Sequence, residues 1–232
     1  MKDQVHVVAV VIPLLAVLVV AAAAAALSRF ASSRAAVAFV VGAVAWAGVS
    51  GGLAASGILG RFEARPPPIL LFMAVLLVGS VALGLSSTGG LLASRVPLVG
   101  LVGVQAFRLP LELAMHQAAT DGIMPVELSF SGYNFDIVTG VLAIVVVVAW
   151  RAGLLRRWML WLANIVGIAA LLAIVAIALL TSPMLHAFGT DPAHLNTWVA
   201  EVPYVWLPAI LVAFAVAGHV VITRALVLGR SV

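Results

Sequence analysis

Residues 97–140 read PLVGLVGVQAFRLPLELAMHQAATDGIMPVELSFSGYNFDIVTG. As far as Ala119 this is one apolar run of roughly 23 residues, long enough for a helix across a bilayer core of about 30 Å. Gln105, Arg108, Glu112 and His116 follow one another at spacings of three, four and four, so they share one face of that helix. Ionisable side chains within a membrane span are expensive, so such a face reads as a functional-site hypothesis by default. Pro110 lies between Arg108 and Glu112; it leaves the carbonyl of Ala106 without its helical partner and predicts a kink there. A polar connection follows, and Asn134 and Asp136 open the next apolar run, where they stand ready to cap it, to join the polar face, or both.

The same length argument applies along the chain. Of 232 residues, 65% are hydrophobic and 9% charged. Seven apolar runs are predicted to span a membrane, at about 5–27, 35–59, 69–85, 97–119, 135–150, 158–180 and 203–228. The fold class expected is an all-α, polytopic membrane protein: a single transmembrane bundle over residues 1–232. The first run is too long for the apolar core of a signal peptide, and Lys2 beside Asp3 gives little positive charge ahead of it. Residues 61–68, RFEARPPP, predict a stiff turn, and SSTGG at 86–90 a plain one.

Arginine bias predicts the orientation. Arg29 and Arg34, then Arg95, then Arg151, Arg156 and Arg157, and finally Arg224 and Arg230 fall on alternate connections. The remaining connections carry Glu63, Asp121, Glu127, Asp191 and Glu201, and only the first of them holds arginines. Seven spans with the N-terminus outside and the C-terminus in the cytoplasm put every arginine-rich segment inside, as in a bacterial inner membrane. Trp150, Trp158 and Trp161 are then inner interface anchors, with Trp198 and Trp206 outer ones. The net charge of +4 is accounted for by loops facing the cytoplasm and calls for no nucleic-acid partner.

With this topology the polar groups gather in the outer half of the membrane. The predicted ligand-binding set is Gln105, Arg108, Glu112, His116, Asn134 and Asp136, with Glu63 from another outer loop. Arg108 and Glu112, at i and i+4, are expected within ion-pairing reach. Glu112, His116 and Asp136 are weak candidates for metal ligands, since the chain lacks the HExxH pattern and Arg108 beside them favours an anionic group over a cation. No cofactor is assigned. The absence of Cys removes disulfides, thiolate metal sites and cysteine nucleophiles, and no span carries the lysine a retinal needs. His219 lies toward the other side of the membrane from His116, so a haem held between them is not expected; His219 reads as a packing residue or a gate. On the sixth run Asn164 and Gly167 lie three apart on one face.

Partners are expected in the lipid and among helices. Gly48, Gly52, Ser56 and Gly60 lie four apart and form a stripe that would let another helix approach closely.

Several segments carry a resemblance. Phe62-Glu63 before Pro66-Pro67, the QxFRxxxE pattern of Gln105, Phe107, Arg108 and Glu112, the GxNFDxxxG pattern of Gly132 to Gly140, and Pro203 to Pro208 together resemble a family of uncharacterised bacterial multi-pass membrane proteins. The family's Trp-Asn pair opening the sixth helix is matched poorly, because Trp161 and Asn164 are separated here. The resemblance implies a multi-pass fold with a shared outer polar site and no particular activity.

Three functional readings follow from the residues. The first is binding or translocation of a small polar or anionic solute at Arg108, with proton exchange at Glu112, His116 and Asp136. The second is an enzyme at the outer leaflet, with a carboxylate as general base and His116 as acid, metal-dependent or not. The third is a structural subunit of a larger membrane complex, docked through the glycine stripe.

Overall fold

A computed structural model describes residues 6–229; Lys2, Asp3, the Val5 boundary of the first predicted span and Arg230 lie outside them. The described residues form helices and connections, with no strand among them. The helices are α1 Val7–Phe30, α2 Ser33–Ala55, α3 Pro68–Leu85, α4 Ser87–Arg95, α5 Leu98–Gly103, α6 Arg108–Thr120, α7 Ile137–Arg151, α8 Arg157–Leu180 and α9 Ala213–Val227. Six segments are long and apolar enough to cross a membrane: α1, α2, α3, α8, Leu98–Thr120 and Leu207–Val227. α7 is apolar but only 15 residues long, or about 22 Å at 1.5 Å per residue. Of the seven predicted runs it is the one that falls short of a full span.

Local chemistry sets the ends. The Ser32 hydroxyl accepts from the Ala35 N–H at 3.1 Å and starts α2. Pro68 occupies the first turn of α3, where a missing N–H costs nothing. The segment expected as a plain turn after Leu85 is instead α4, nine residues long and capped by the Ser86 side chain, which accepts from Gly89 N. Two spans are interrupted. In the fourth, Val104–Phe107 winds as a 3₁₀ helix between α5 and α6, just where Pro110 removes the donor to Ala106. In the last, Leu207–Val212 is a π-helical turn leading into α9.

Hydrogen bonds show which ends share a side of the bundle. Arg95 donates to the Phe30 carbonyl at 3.0 Å, Arg224 to the carbonyls of Gly84 and Ser86 at 2.6 and 2.9 Å, and Arg157 to that of Leu226. The C-terminal ends of α1, α3, α4 and α9 therefore meet the N-terminal end of α8 at one arginine-rich end. At the opposite end His6 lies 3.9 Å from Asp121, and His194 contacts Glu127 at 2.6 Å.

The outward surface is apolar, with Val17, Val37, Val75, Val78 and Leu172 all exposed, as helices facing lipid require. Gly48, Gly52, Ser56 and Gly60 also face outward, and a Cβ built at Gly48 or Gly52 meets nothing. Inside the protein, α2 packs through a neighbouring face instead, burying Ser50, Gly51 and Ala54. Trp206 lies against Gly51 and donates to the Ala47 carbonyl at 3.0 Å, while Trp46 donates to that of Ala209 at 2.9 Å. Trp150 and Trp158 are exposed as interface anchors should be, but Trp198 is buried in the core beside Tyr204.

Candidate functional site

Two apolar core clusters flank a polar layer in the interior. One core cluster gathers Ile12, Leu111, Met115, Leu128 and Leu211; another, toward the arginine-rich end, gathers Leu98, Val102, Ala143, Leu160 and Ile222. Gln105, Arg108, Glu112, Asn134, Asp136, Thr139 and His219 occupy the positions between them, each at most 6% exposed.

Asp136 is the partner of Arg108: Nη1 donates to its Oδ1 at 2.5 Å, across 28 residues of chain. The expected Arg108–Glu112 pair does not form a contact; the two charges interact only at longer range. Glu112 is held instead by Asn134, whose Nδ2 donates to both carboxylate oxygens at 3.0 and 2.9 Å and to the Leu128 carbonyl at 3.0 Å. An amide nitrogen has two hydrogens, so one is shared across the carboxylate and the other goes to the backbone. The Asn134 oxygen accepts from Asp136 N at 3.1 Å. Asn134 thus settles the start of α7 and holds the site with opposite ends of one amide.

A close approach brings these helices into register. A Cβ at Gly140 would collide with the backbone and side chain of Leu109, at 2.5 to 3.0 Å. With hydrogen there, α7 lies against the start of α6, and Asp136, one turn before Gly140, reaches Arg108.

Two residues of the predicted set sit elsewhere. His116 hydrogen-bonds Ser131 at 2.8 Å and stacks on Phe130, with ring centroids 4.3 Å apart, so it turns away from the carboxylates. Glu63 is exposed in the connection between α2 and α3 and makes no hydrogen bond to the cluster among the described residues. No group of three His, Asp or Glu that could hold a metal ion occurs among the described residues.

The cluster extends toward the arginine-rich end through residues that the spacing argument did not join to it. Thr139 lies one turn after Asp136 on α7, and His219 and Asn164 approach from α9 and α8. The i, i+3 spacing of Asp136 and Thr139 was available in the sequence as a signal; the approach of His219 was not. Outside the cluster, buried Glu127 and His194 fasten the connection after α6 to the one after α8, and Tyr133 stacks on Phe188 between the same two segments at 5.6 Å.

These features define a helical bundle of the membrane type with charged residues buried among its spans. No family model, no curated protein and no solved structure matches the chain.

Proposed function

We propose that the chain is a seven-span protein of a bacterial inner membrane that binds or translocates a small polar or anionic solute at Arg108, with proton exchange at the adjoining carboxylates. One observation carries this reading: two carboxylates, Glu112 and Asp136, are buried with a single guanidinium, and all three lie within electrostatic reach of one another. With both acids ionised the site has a net charge of −1 in a dry medium, and one proton restores neutrality. Burying an uncompensated charge is costly, so the stable form of the cluster holds one exchangeable proton. An anionic group binding at Arg108 would compete with Asp136 for the guanidinium and change that proton's affinity.

The topology belongs to the same proposal. Counting α7 as the seventh span, with Asn134 and Phe135 extending it, the arginine-rich end of the bundle becomes the cytoplasmic face and the N-terminus lies outside. The resemblance to bacterial multi-pass proteins in QxFRxxxE and GxNFDxxxG fits this reading, since both patterns meet in the cluster: Arg108 and Glu112 from one, Asn134, Asp136 and Gly140 from the other.

Thermal stabilisation of the purified chain against a panel of inorganic anions, small carboxylates and neutral polar solutes tests the reading. A ligand at a hundred times its Kd stabilises by about 2.7 kcal/mol. The expected result is a shift with at least one class, accompanied by proton uptake or release, and lost in Arg108→Lys, which keeps the charge without the fork. A folded protein that no member of the panel stabilises would overturn the proposal.

A further inference from the structure

Beneath the Arg108–Asp136 pair lies an enclosed gap whose polar walls are Gln105, Thr139, Asn164 and His219, closed on its other sides by Val102 and Ile222. Four buried polar atoms on these walls have no hydrogen-bond partner, Nε2 and Oε1 of Gln105, Oγ1 of Thr139 and Nε2 of His219, and Nη2 of Arg108 in the layer above is a fifth. Their residues are 1 to 3% exposed. Unpaired polar groups at membrane depth are tolerated only where protein or water satisfies them.

The hydrogen bonds around the histidine fix which kind of atom faces the gap. The Thr223 hydroxyl donates to the His219 carbonyl at 2.8 Å, so it accepts from Asn164 Nδ2, also at 2.8 Å. Asn164 Oδ1 is then an acceptor, and His219 Nδ1, 2.9 Å away, carries the hydrogen. In the neutral ring this leaves Nε2 as a bare lone pair in the gap. Two glycines make the arrangement fit. A Cβ at Gly167 would overlap the His219 ring at Cε1 and Nε2, and one at Gly218 would overlap Nε2 of Gln105.

A direct Gln105–His219 bond would satisfy two of the five atoms, whereas one water can serve up to four. The gap is narrower than a water, so a guest must displace one wall, and the Gln105 amide is the wall that no hydrogen bond holds. We propose that this gap is a hydration site in which a water bridges His219 Nε2 to Gln105 and Thr139, joining the histidine to the Arg108–Asp136–Glu112 cluster as a proton relay gated by Gln105. The relay rests on the reading that the cluster holds one exchangeable proton. In the transfer step the O–H of the carboxyl nearest the gap, Asp136, breaks and its proton passes to the Thr139 hydroxyl one turn away, the hydroxyl's own proton passes to the water, and a second water proton forms the Nε2–H bond. The products are a carboxylate and an imidazolium, and the water is regenerated. Arg108 is the charged group whose field reaches His219, and it opposes the imidazolium, so the proton rests on the carboxyl and only visits the ring; Asn164, Gly167, Thr139 and Gln105 face the histidine from the other helices as neutral groups.

From Glu112 through Arg108 and Gln105 to His219 and Thr223 the polar column covers roughly 17 Å of the membrane, at about 1.5 Å per residue. It stops at fully buried Leu160 and Leu226, which separate Asn164 from the arginine-rich end. The relay therefore serves the cluster as a proton reservoir and does not cross the membrane in this conformation.

Two measurements on the full chain in lipid nanodiscs test it. Histidine ¹⁵N NMR, with His219 assigned by its loss in His219→Phe, should show an Nδ1–H ring whose Nε2 exchanges magnetisation with water; Gly167→Ala should abolish that contact. An Nε2 bonded directly to the Gln105 amide, without water, overturns the hydration site. Infrared spectroscopy should show a protonated carboxyl band that shifts on transfer to deuterated water, more slowly in His219→Phe and in Thr139→Val. Exchange as fast in both variants as in the unsubstituted chain overturns the relay while leaving the proton-holding cluster intact. Absence of the band overturns the parent reading and the relay with it. Thr139→Val differs from the native residue by one hydroxyl and keeps the test open should His219→Phe not fold.

Discussion

The Arg108–Asp136–Glu112–Asn134 layer and the Gln105–Thr139–His219 layer lie one helical turn apart, share helices and are equally buried, yet the first is joined by direct bonds and the second is not. In the upper layer an ion pair and a three-way amide engage both carboxylates and fix two helices and the turn at Leu128. In the lower layer only Asn164 and Thr223 reach the histidine, and the side facing the cluster keeps its donors and acceptors unspent. Polar groups at similar depth therefore do different work. Direct bonds lock a site, and unspent donors and acceptors leave one open to a small polar guest.

The comparison breaks first at Asp136. Asp136→Leu strands the Arg108 guanidinium and is expected to destabilise the protein by about 3 to 5 kcal/mol, as for other broken buried pairs. The double variant with Arg108→Met should recover most of that loss in reversible denaturation in mixed micelles; a double variant as unstable as the single one would mean that the stranded charge is not the cause. Glu112→Ala should cost less, about 1 to 3 kcal/mol, because it orphans the Asn134 amide and not the guanidinium. A loss as large as that of Asp136→Leu would make Glu112 the working counter-ion of Arg108.

The lower layer should tolerate what the upper one does not. Thr139→Val removes a hydroxyl that has no protein partner and should change stability by less than about 1 kcal/mol in the same denaturation measurement. Asn134→Leu, its counterpart above, should be worse than Thr139→Val, since it leaves Glu112 without its donor; equal losses would erase the distinction between the layers. Smallest of all is the expected effect of Gly48→Leu, within about 0.5 kcal/mol, because that face of α2 meets nothing inside the protein. A marked change in Gly48→Leu, read together with the mass of the purified complex, would instead reveal a helix partner on the stripe.

Much of the bundle is legible in the chain because membrane helices obey length and hydropathy one segment at a time. The runs at 5–27, 35–59, 69–85, 97–119, 158–180 and 203–228 each coincide with a span-length helical segment to within a few residues. The break ahead of Arg108 is equally local: Pro110 lacks an N–H, and the irregular turn appears at Val104–Phe107. The gathering of Gln105, Arg108 and Glu112 on one face follows from helical spacing, and Asn134 and Asp136 were readable as neighbours because they open the following run.

Partner choice was not legible by the same route. On a bare helix Arg108 and Glu112 are neighbours, but Gly140 draws α7 against Leu109 and presents Asp136 to the guanidinium, leaving Glu112 to Asn134. His116 shares the spacing of the polar face yet bonds Ser131 and stacks on Phe130, and it makes no hydrogen bond to either carboxylate. Gly48, Gly52, Ser56 and Gly60 have the spacing of a packing stripe, but the protein packs on Gly51 because Trp206 lies there.

What the amino-acid order determined by itself was the set of apolar segments, the breaks within them and the few positions where charge enters the membrane, since each depends on residues within a turn or two. Tertiary structure alone decided that Asp136 is the counter-ion, that Gln105 and Thr139 are left unpaired beside His219, and that the lone pair of that histidine faces the cluster. These outcomes depend on which helices approach within hydrogen-bond distance, and that is set by the absence of a side chain at Gly140, Gly167 and Gly218, each on a different helix from the group it admits.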